Sequence, residues 1–219
     1  MQRARYADRR DAGRVLAGAL TGRADAGALV LGLPRGGIPV AAEVARALGA
    51  ELDVLVVRKL GVPAQPELAM GALAAVGDRV ETVWVPAVRE RLDPDPAAVA
   101  AVRDRELAEL RRRAEAYRGA RPAPVVAGRH VVLVDDGLAT GASMRVAVTA
   151  VRANGPARLT VAVPVGPRSA LAELAGAVDD LECPLAPTGF RSVGQAYDDF
   201  SETSDEEVLE ALRRGGSVG

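Results

Sequence analysis

An α/β fold, with a mainly parallel twisted sheet flanked by helices, is what this sequence predicts. Three observations predict it. A short continuous apolar run at 28–33 reads as a buried strand, and largely apolar stretches at 52–60, 131–135 and 159–165 read as further strands. Amphipathic stretches of helical period lie between them. The resulting strand, loop, helix, strand order is the βαβ unit, whose crossover makes neighbouring strands parallel.

Taken in order, residues 8–20 form a helix: Asp8 caps it, and Ala12, Val15, Leu16, Ala19 and Leu20 share one face. "ALVLGL" (28–33) is the first core strand. "PRGG" leads into a helix over 38–49, with Pro39 near its start and Gly49 at its end. "LDVLVVRKL" reads as one strand carrying Arg58 and Lys59 at its C-terminal end. From Gly61 to Val85, two prolines and many Gly and Ala residues predict a mobile loop leading into a hairpin with a Gly77-Asp78 turn. Residues 93–119 form a long helix with Val99, Val102, Leu110 and Tyr117 on its buried stripe. A strand (131–135), a helix (142–154), a strand (159–165), a helix (168–176) and a strand (178–182) continue the alternation. The tail is irregular until Ser204, which forms a capping box with Glu207 for a last helix. No repeat or low-complexity linker divides the chain, so residues 1–219 read as one domain.

Composition excludes several function classes. Hydrophobic residues make up 49% and charged residues 26%, which is ordinary for a globular chain, and the net charge of -1 gives no field that favours nucleic acid. The triplet Arg111–Arg113 belongs to a solvated face with Glu106, Glu109 and Glu115 as partners. Cys183 is the only cysteine and is expected at a buried strand end; His130 is the only histidine and is expected at the surface or in packing. The start, "MQRARYADRR", does not resemble a signal peptide, and no apolar run approaches the roughly 20 residues of a membrane span, so a cytoplasmic location with no membrane partner is expected. Lys59 is the only lysine among 28 basic residues. An Arg-biased composition accounts for most of that, but a mobile point charge can also serve phosphate.

In a parallel sheet, ligands collect at the C-terminal strand ends. Three such ends carry polar chemistry: Pro34–Gly37, Arg58 with Lys59, and Asp135–Ser143. In "VVLVDDGLATGASM" (131–144), small residues leave the backbone bare at a helix N-terminus, where free N–H groups favour an anion, and Thr140 and Ser143 add hydroxyls. It is no Walker A loop, because the Gly-Lys-[Ser/Thr] ending is missing. Asp135 and Asp136 repel phosphate, but they accept hydrogen bonds from a vicinal diol and stabilise nearby positive charge. A phosphate beside a ribose diol satisfies both halves.

"VVLVDDGLATGAS" resembles the phosphoribosyl-pyrophosphate (PRPP) signature of the type I phosphoribosyltransferase family. Gly137 departs from it, since the family more often has an apolar residue or Ser there, and a looser loop is expected. The resemblance implies that Asp135 and Asp136 hold the ribose hydroxyls, and that Leu138, Ala139, Thr140, Gly141, Ala142 and Ser143 cradle the 5-phosphate. "LPRGG" is similar to the family's pyrophosphate loop, often built on a non-proline cis peptide, which assigns Arg35, Gly36 and Gly37 to pyrophosphate. "VRKLGVP" is similar to the strand end before the substrate-covering loop, which assigns Arg58 and Lys59 to pyrophosphate and 61–80 to a lid. The chain also resembles a subgroup of phosphoribosyltransferases sharing the PRGG loop and a "VGQAY-DF" tail.

The implied reaction moves phosphoribose from PRPP to a nitrogen acceptor, a nucleobase, and releases pyrophosphate. Asp135, Asp136, Arg35 and Lys59 are the catalytic candidates. Mg²⁺ is expected mainly on PRPP oxygens and water, with no residue assigned as a metal ligand. A homo-oligomer, a dimer, is the expected assembly. In this fold the acceptor is held by a hood of chain ends, here 1–27 and 184–219 around a core of about 28–183. Phe190, Arg191, Gln195 and Tyr197 are candidates for it, with tail packing the equal alternative for Phe190 and Tyr197. A non-catalytic PRPP- or nucleotide-sensing regulator on the same fold is the alternative function.

Overall fold

The computed structural model describes residues 5–24 and 27–215. Five parallel strands form the main sheet: β1 (Leu29–Gly32), β2 (Glu51–Val54), β6 (His130–Val134), β7 (Arg158–Ala162) and β8 (Asp180–Glu182), in the order β2-β1-β6-β7-β8. The continuous apolar runs are explained by two cores, one on each face. Val30, Val132 and Val134 point into one, while Leu29, Leu31, Val131 and Leu133 point into the other. Each strand alternates between faces that are both covered.

On the first face lies α2 (Gly37–Leu48), ended by Gly49 in the left-handed conformation as its position predicted. It is flanked by α1 (Arg9–Leu20), capped by the Asp8 side chain, and by α7 (Asp205–Gly215). The Ser204–Glu207 capping box is present at the start of α7. The second face is covered by α5 (Ala142–Ala153) and α6 (Arg168–Ala175). Among the described residues, no helix is long and apolar enough to cross a membrane.

The main departure from expectation lies at 55–85. "LDVLVVRKL" is two strands, because the chain leaves the parallel sheet after Val54. Residues of the predicted mobile loop belong to a second, antiparallel sheet of β3 (Val57–Val62), β4 (Gln65–Val76) and β5 (Arg79–Trp84), turning at Gly77-Asp78. The small residues read as loop formers are instead core: Ala72, Leu73, Ala74, Ala75 and Val76 of β4 are all buried. A short helix, α3 (Pro86–Leu92), precedes α4 (Pro96–Arg118), which packs on β3 and β4 with Val99, Val102, Leu110, Ala114 and Tyr117 buried. On its exposed side Arg112 and Arg113 both pair with Glu109, each at 2.7 Å, the solvated face expected of that triplet.

The predicted hood divides. Its tail runs over the main sheet, where Tyr6 and Tyr197 form a parallel bridge. α7 instead packs beside α2, β2 and α4 as part of the helical layer. The residues 1–4, 25–26 and 216–219 of that hood lie outside the described residues.

Candidate functional site

The site forms where β1 and β6, adjacent in the sheet, both end. The β1 turn carries Pro34–Gly37, with a cis Pro34–Arg35 peptide, and the β6 turn carries Asp135 and Asp136. The two turns touch. A Cβ at Gly36 would lie 2.0 Å from Asp136 Oδ2, and one at Gly37 would lie 2.9 Å from the Cα of Asp135. Gly36 has right-handed helical φ and ψ of -60° and -32°, so glycine is required there by contact and not by conformation.

Beyond the acids, the Leu138 N–H donates to Val165 O at 2.8 Å and its side chain is buried in the second core. Leu138 therefore offers a backbone only. Ala139, Thr140, Ala142 and Ser143 are exposed around the first turn of α5, and Gly141 at φ 71° makes the turn into the helix. The first turn of α5 leaves N–H groups without intrahelical partners, and that of Ala142 donates to Thr140 Oγ1 at 3.4 Å. Arg145, which the sequence reading missed, braces this loop by donating to Thr140 O at 2.9 Å while pairing with Glu173 at 2.7 Å. Gly137 does not loosen the loop. A Cβ there would lie 2.6 Å from Val193 and 2.9 Å from Val165, so glycine is what lets the tail lie against this turn.

The acid pair is electrostatically unusual. Burial pushes the Asp135 carboxyl well above the usual carboxylate range, and the neighbouring Asp136 charge adds to the rise. Burial also raises Asp136, but a hydrogen bond from Arg9 opposes it. Arg9 Nε donates to Asp136 Oδ2 at 2.8 Å, with both side chains largely buried. No local pattern announced this partner, which is 127 residues away. Asp135 Oδ1 accepts only the Asp136 backbone N–H, at 2.8 Å, among the described residues, leaving acceptor capacity for a ligand's hydroxyls or hydrated cation.

The remaining predicted residues are placed as follows. Arg35 reaches the site's rim and pairs with Glu202 of the tail. Arg58 donates twice to Glu106 Oε2 of α4, at 3.0 and 2.6 Å. Lys59, half-exposed, sits 3.5 Å from the fully exposed Glu67 carboxylate across the hairpin. Both lie on β3 in the second sheet, so the structure brings Arg35–Gly37 to Asp135–Asp136 but leaves Arg58 and Lys59 with hairpin and α4 partners.

Tyr197 is buried, with its ring centroid 5.6 Å from Tyr6 and 5.0 Å from Phe200, and its hydroxyl donates to Asp136 O at 2.6 Å. It supports the site from beneath and is not open to a base. Gln195 accepts the backbone N–H groups of Arg191 and Ser192, which makes it a turn former. Phe190 packs partly buried on the Tyr6–Tyr197 cluster. His130 Nε2 is hydrogen-bonded to Thr160 Oγ1 at 2.8 Å, a packing role as expected; Cys183, expected buried, is half-buried just past β8, and burial pushes its thiol up to about 11. A cavity of about 450 Å³ runs along α2 from Pro39 to Ala50, between α1 and α7. It shares Arg9 with the site but otherwise lies away from the strand ends.

Fold and site together define an α/β domain that sets a small-residue anion turn, an acid pair and a glycine-rich second turn at the C-terminal ends of two central strands. The chain belongs to the phosphoribosyl transferase domain family, whose model matches residues 26–192. It is 49% identical over 209 residues to a Mycobacterium tuberculosis H37Rv protein carrying the name "Putative phosphoribosyl transferase Rv0571c". That match covers 95% of this chain and 46% of the relative, so the chain spans about half the length of the curated relatives it matches. Among solved structures it is similar to TT1426 from Thermus thermophilus, at 46% identity and a TM-score of 0.82, covering 95% of this chain and 97% of that one.

Proposed function

We propose that this chain transfers phosphoribose from PRPP to a nitrogen acceptor, a nucleobase, with release of pyrophosphate. The observation that carries the reading is the contact between the two turns: Gly36 and Gly37 lie directly against Asp136 and Asp135. A ligand with its ribose on the acids therefore presents C1 and its diphosphate to the Arg35 turn, while its 5-phosphate reaches residues 138–143. Asp135 and Asp136 hold the hydroxyls and stabilise positive charge developing on the ribose. Arg35 takes diphosphate oxygens through its guanidinium fork.

Lys59 and Arg58 join only if the β3–β4 hairpin bends over the site, which is the form the proposed lid takes here; closure would exclude the water that competes for the sugar. Mg²⁺, held through PRPP oxygens and water, supplies charge neutralisation of the leaving diphosphate when bound. The fit is supported by the oxygen-only donor set and by Asp135, a part-buried carboxylate without a cation bonded to it among the described residues.

A non-catalytic PRPP sensor is the second reading, and one observation favours it: Arg35 and Asp136 are each already paired within the chain. The test for both is pyrophosphate release from Mg-PRPP across a panel of nucleobases, with Asp136→Asn as control. Release that depends on one base and is lost in the control supports transfer. PRPP binding without release on any base supports the sensor, and absence of PRPP binding overturns both.

A further inference from the structure

The family match ends at residues 26 and 192, yet the groups that hold the acid pair come from outside it. Arg9, on α1, donates Nε–H to Asp136 Oδ2 at 2.8 Å. Its Nη1 donates to Ser201 O at 2.6 Å, and its guanidinium lies 4.0 Å from the Phe200 ring centroid. Phe200 stacks in turn on Tyr197, whose hydroxyl donates to the Asp136 carbonyl. Side chain and carbonyl of one residue are thus gripped by the two chain ends at once.

From this geometry we infer that Arg9 is a positioning residue for the acid pair, held by the 197–201 tail, and that it aims the Asp136 carboxylate at the ribose subsite. The inference rests on the proposed function for the identity of that subsite. Three restraints fix the guanidinium: one hydrogen bond to the acid, one to a tail carbonyl and one ring face. A planar fork with a stacking face satisfies all three, which an ammonium cannot. A carboxylate accepting from Arg9 on one oxygen keeps its remaining lone pairs for two hydroxyls in a set direction. Without Arg9, Asp136 is a crowded acid beside Asp135, free to turn and prone to protonation, since burial opposes its ionised form and the hydrogen bond that offsets this is gone. The chain ends therefore supply the counter-charge for the domain's acid pair.

The test uses the full chain and isothermal titration with two probes: ribose 5-phosphate, which needs the acids and the 138–143 turn, and inorganic pyrophosphate, which needs Arg35. Arg9→Met is expected to weaken ribose 5-phosphate roughly tenfold while leaving pyrophosphate within about twofold. Combining it with Asp136→Asn is expected to cost little more than Asp136→Asn alone, because the two act on one carboxylate. Arg9→Lys, which keeps the charge but not the planar fork or its stacking face, should recover part of the loss. Thermal melting separates folding from positioning: a lowered midpoint with unchanged ribose 5-phosphate affinity overturns the inference. So do strictly additive losses, or an equal loss for pyrophosphate. If the unaltered chain binds neither PRPP nor ribose 5-phosphate, the proposed function fails and takes this inference with it; if it binds both and Arg9→Met is silent, only the inference fails.

Discussion

Replacing Gly36 with Ala adds a single methyl group at the point where the two site turns meet. Its Cβ would lie 2.0 Å from Asp136 Oδ2, 2.8 Å from Asp136 Cγ and 3.1 Å from Arg9 Nε. A carboxylate on a free side chain would swing away cheaply, but this one is held by Arg9 at 2.8 Å and its backbone carbonyl by Tyr197 at 2.6 Å. Relief therefore means breaking the Arg9 pair or moving the Arg35 turn. Overpacking of this kind costs about 1–3 kcal/mol. A loss of about 2 kcal/mol lowers the melting midpoint by roughly 4–8 °C for a chain of this size.

Ligand affinity should fall further, since both turns are displaced; ribose 5-phosphate binding is expected to weaken by roughly two orders of magnitude, as when oriented polar groups lose their partner. Gly18→Ala is the matched control. It sits in α1 with nothing within 4 Å of its added Cβ, so it should be neutral or raise stability by about 0.4–1 kcal/mol. Calorimetric melting and titration read both effects. A Gly36→Ala chain that melts and binds as the unaltered one does would refute the claim that the two turns share a wall.

Two further outcomes follow from the electrostatics. Because the Asp135 carboxyl is raised, the folded chain keeps its proton at pH values where the unfolded chain releases it. Its contribution to stability therefore declines as pH rises from the ordinary carboxylate range toward the raised value, while affinity for a diol, which needs the ionised acceptor, increases over the same window. Comparing ribose 5-phosphate binding from pH 5 to 8 in the unaltered chain and in Asp135→Asn cancels the ligand's own ionisation; equal slopes would refute the assignment. On the strand beside β1, Asp53 of β2 is buried against Arg118 at 3.0 Å and Arg121 at 3.4 Å. Asp53→Ala leaves the largely buried Arg118 without its counter-charge and should cost about 3–5 kcal/mol in denaturant unfolding, and a loss below about 1 kcal/mol would contradict the burial.

The strands at 28–33 and 131–135 and the helices that follow them were legible because period and punctuation are local properties, written in adjacent residues. The break within "LDVLVVRKL" was not. Leu55 and Val56 are both buried, so no polar residue marks where the chain changes sheet, and an apolar run cannot say which sheet will bury it. The same ambiguity hid β4, whose Gly and Ala residues suggested a loop until neighbouring helices closed over them.

At the site, the sequence alone determined the chemistry on offer: an acid pair and a small-residue turn at a strand end, with a second glycine-rich turn after another. Those features are contiguous in the chain, and their meaning follows from a handful of neighbours. Only the tertiary structure decided which charges meet. Arg9 and Tyr197 reach Asp136 across the fold, Glu202 reaches Arg35, and Arg58 is turned toward Glu106 and away from the acids. Pairing between residues 48 to 167 positions apart leaves no periodicity to read, because it is set by where the sheet order and the chain ends bring their side chains together.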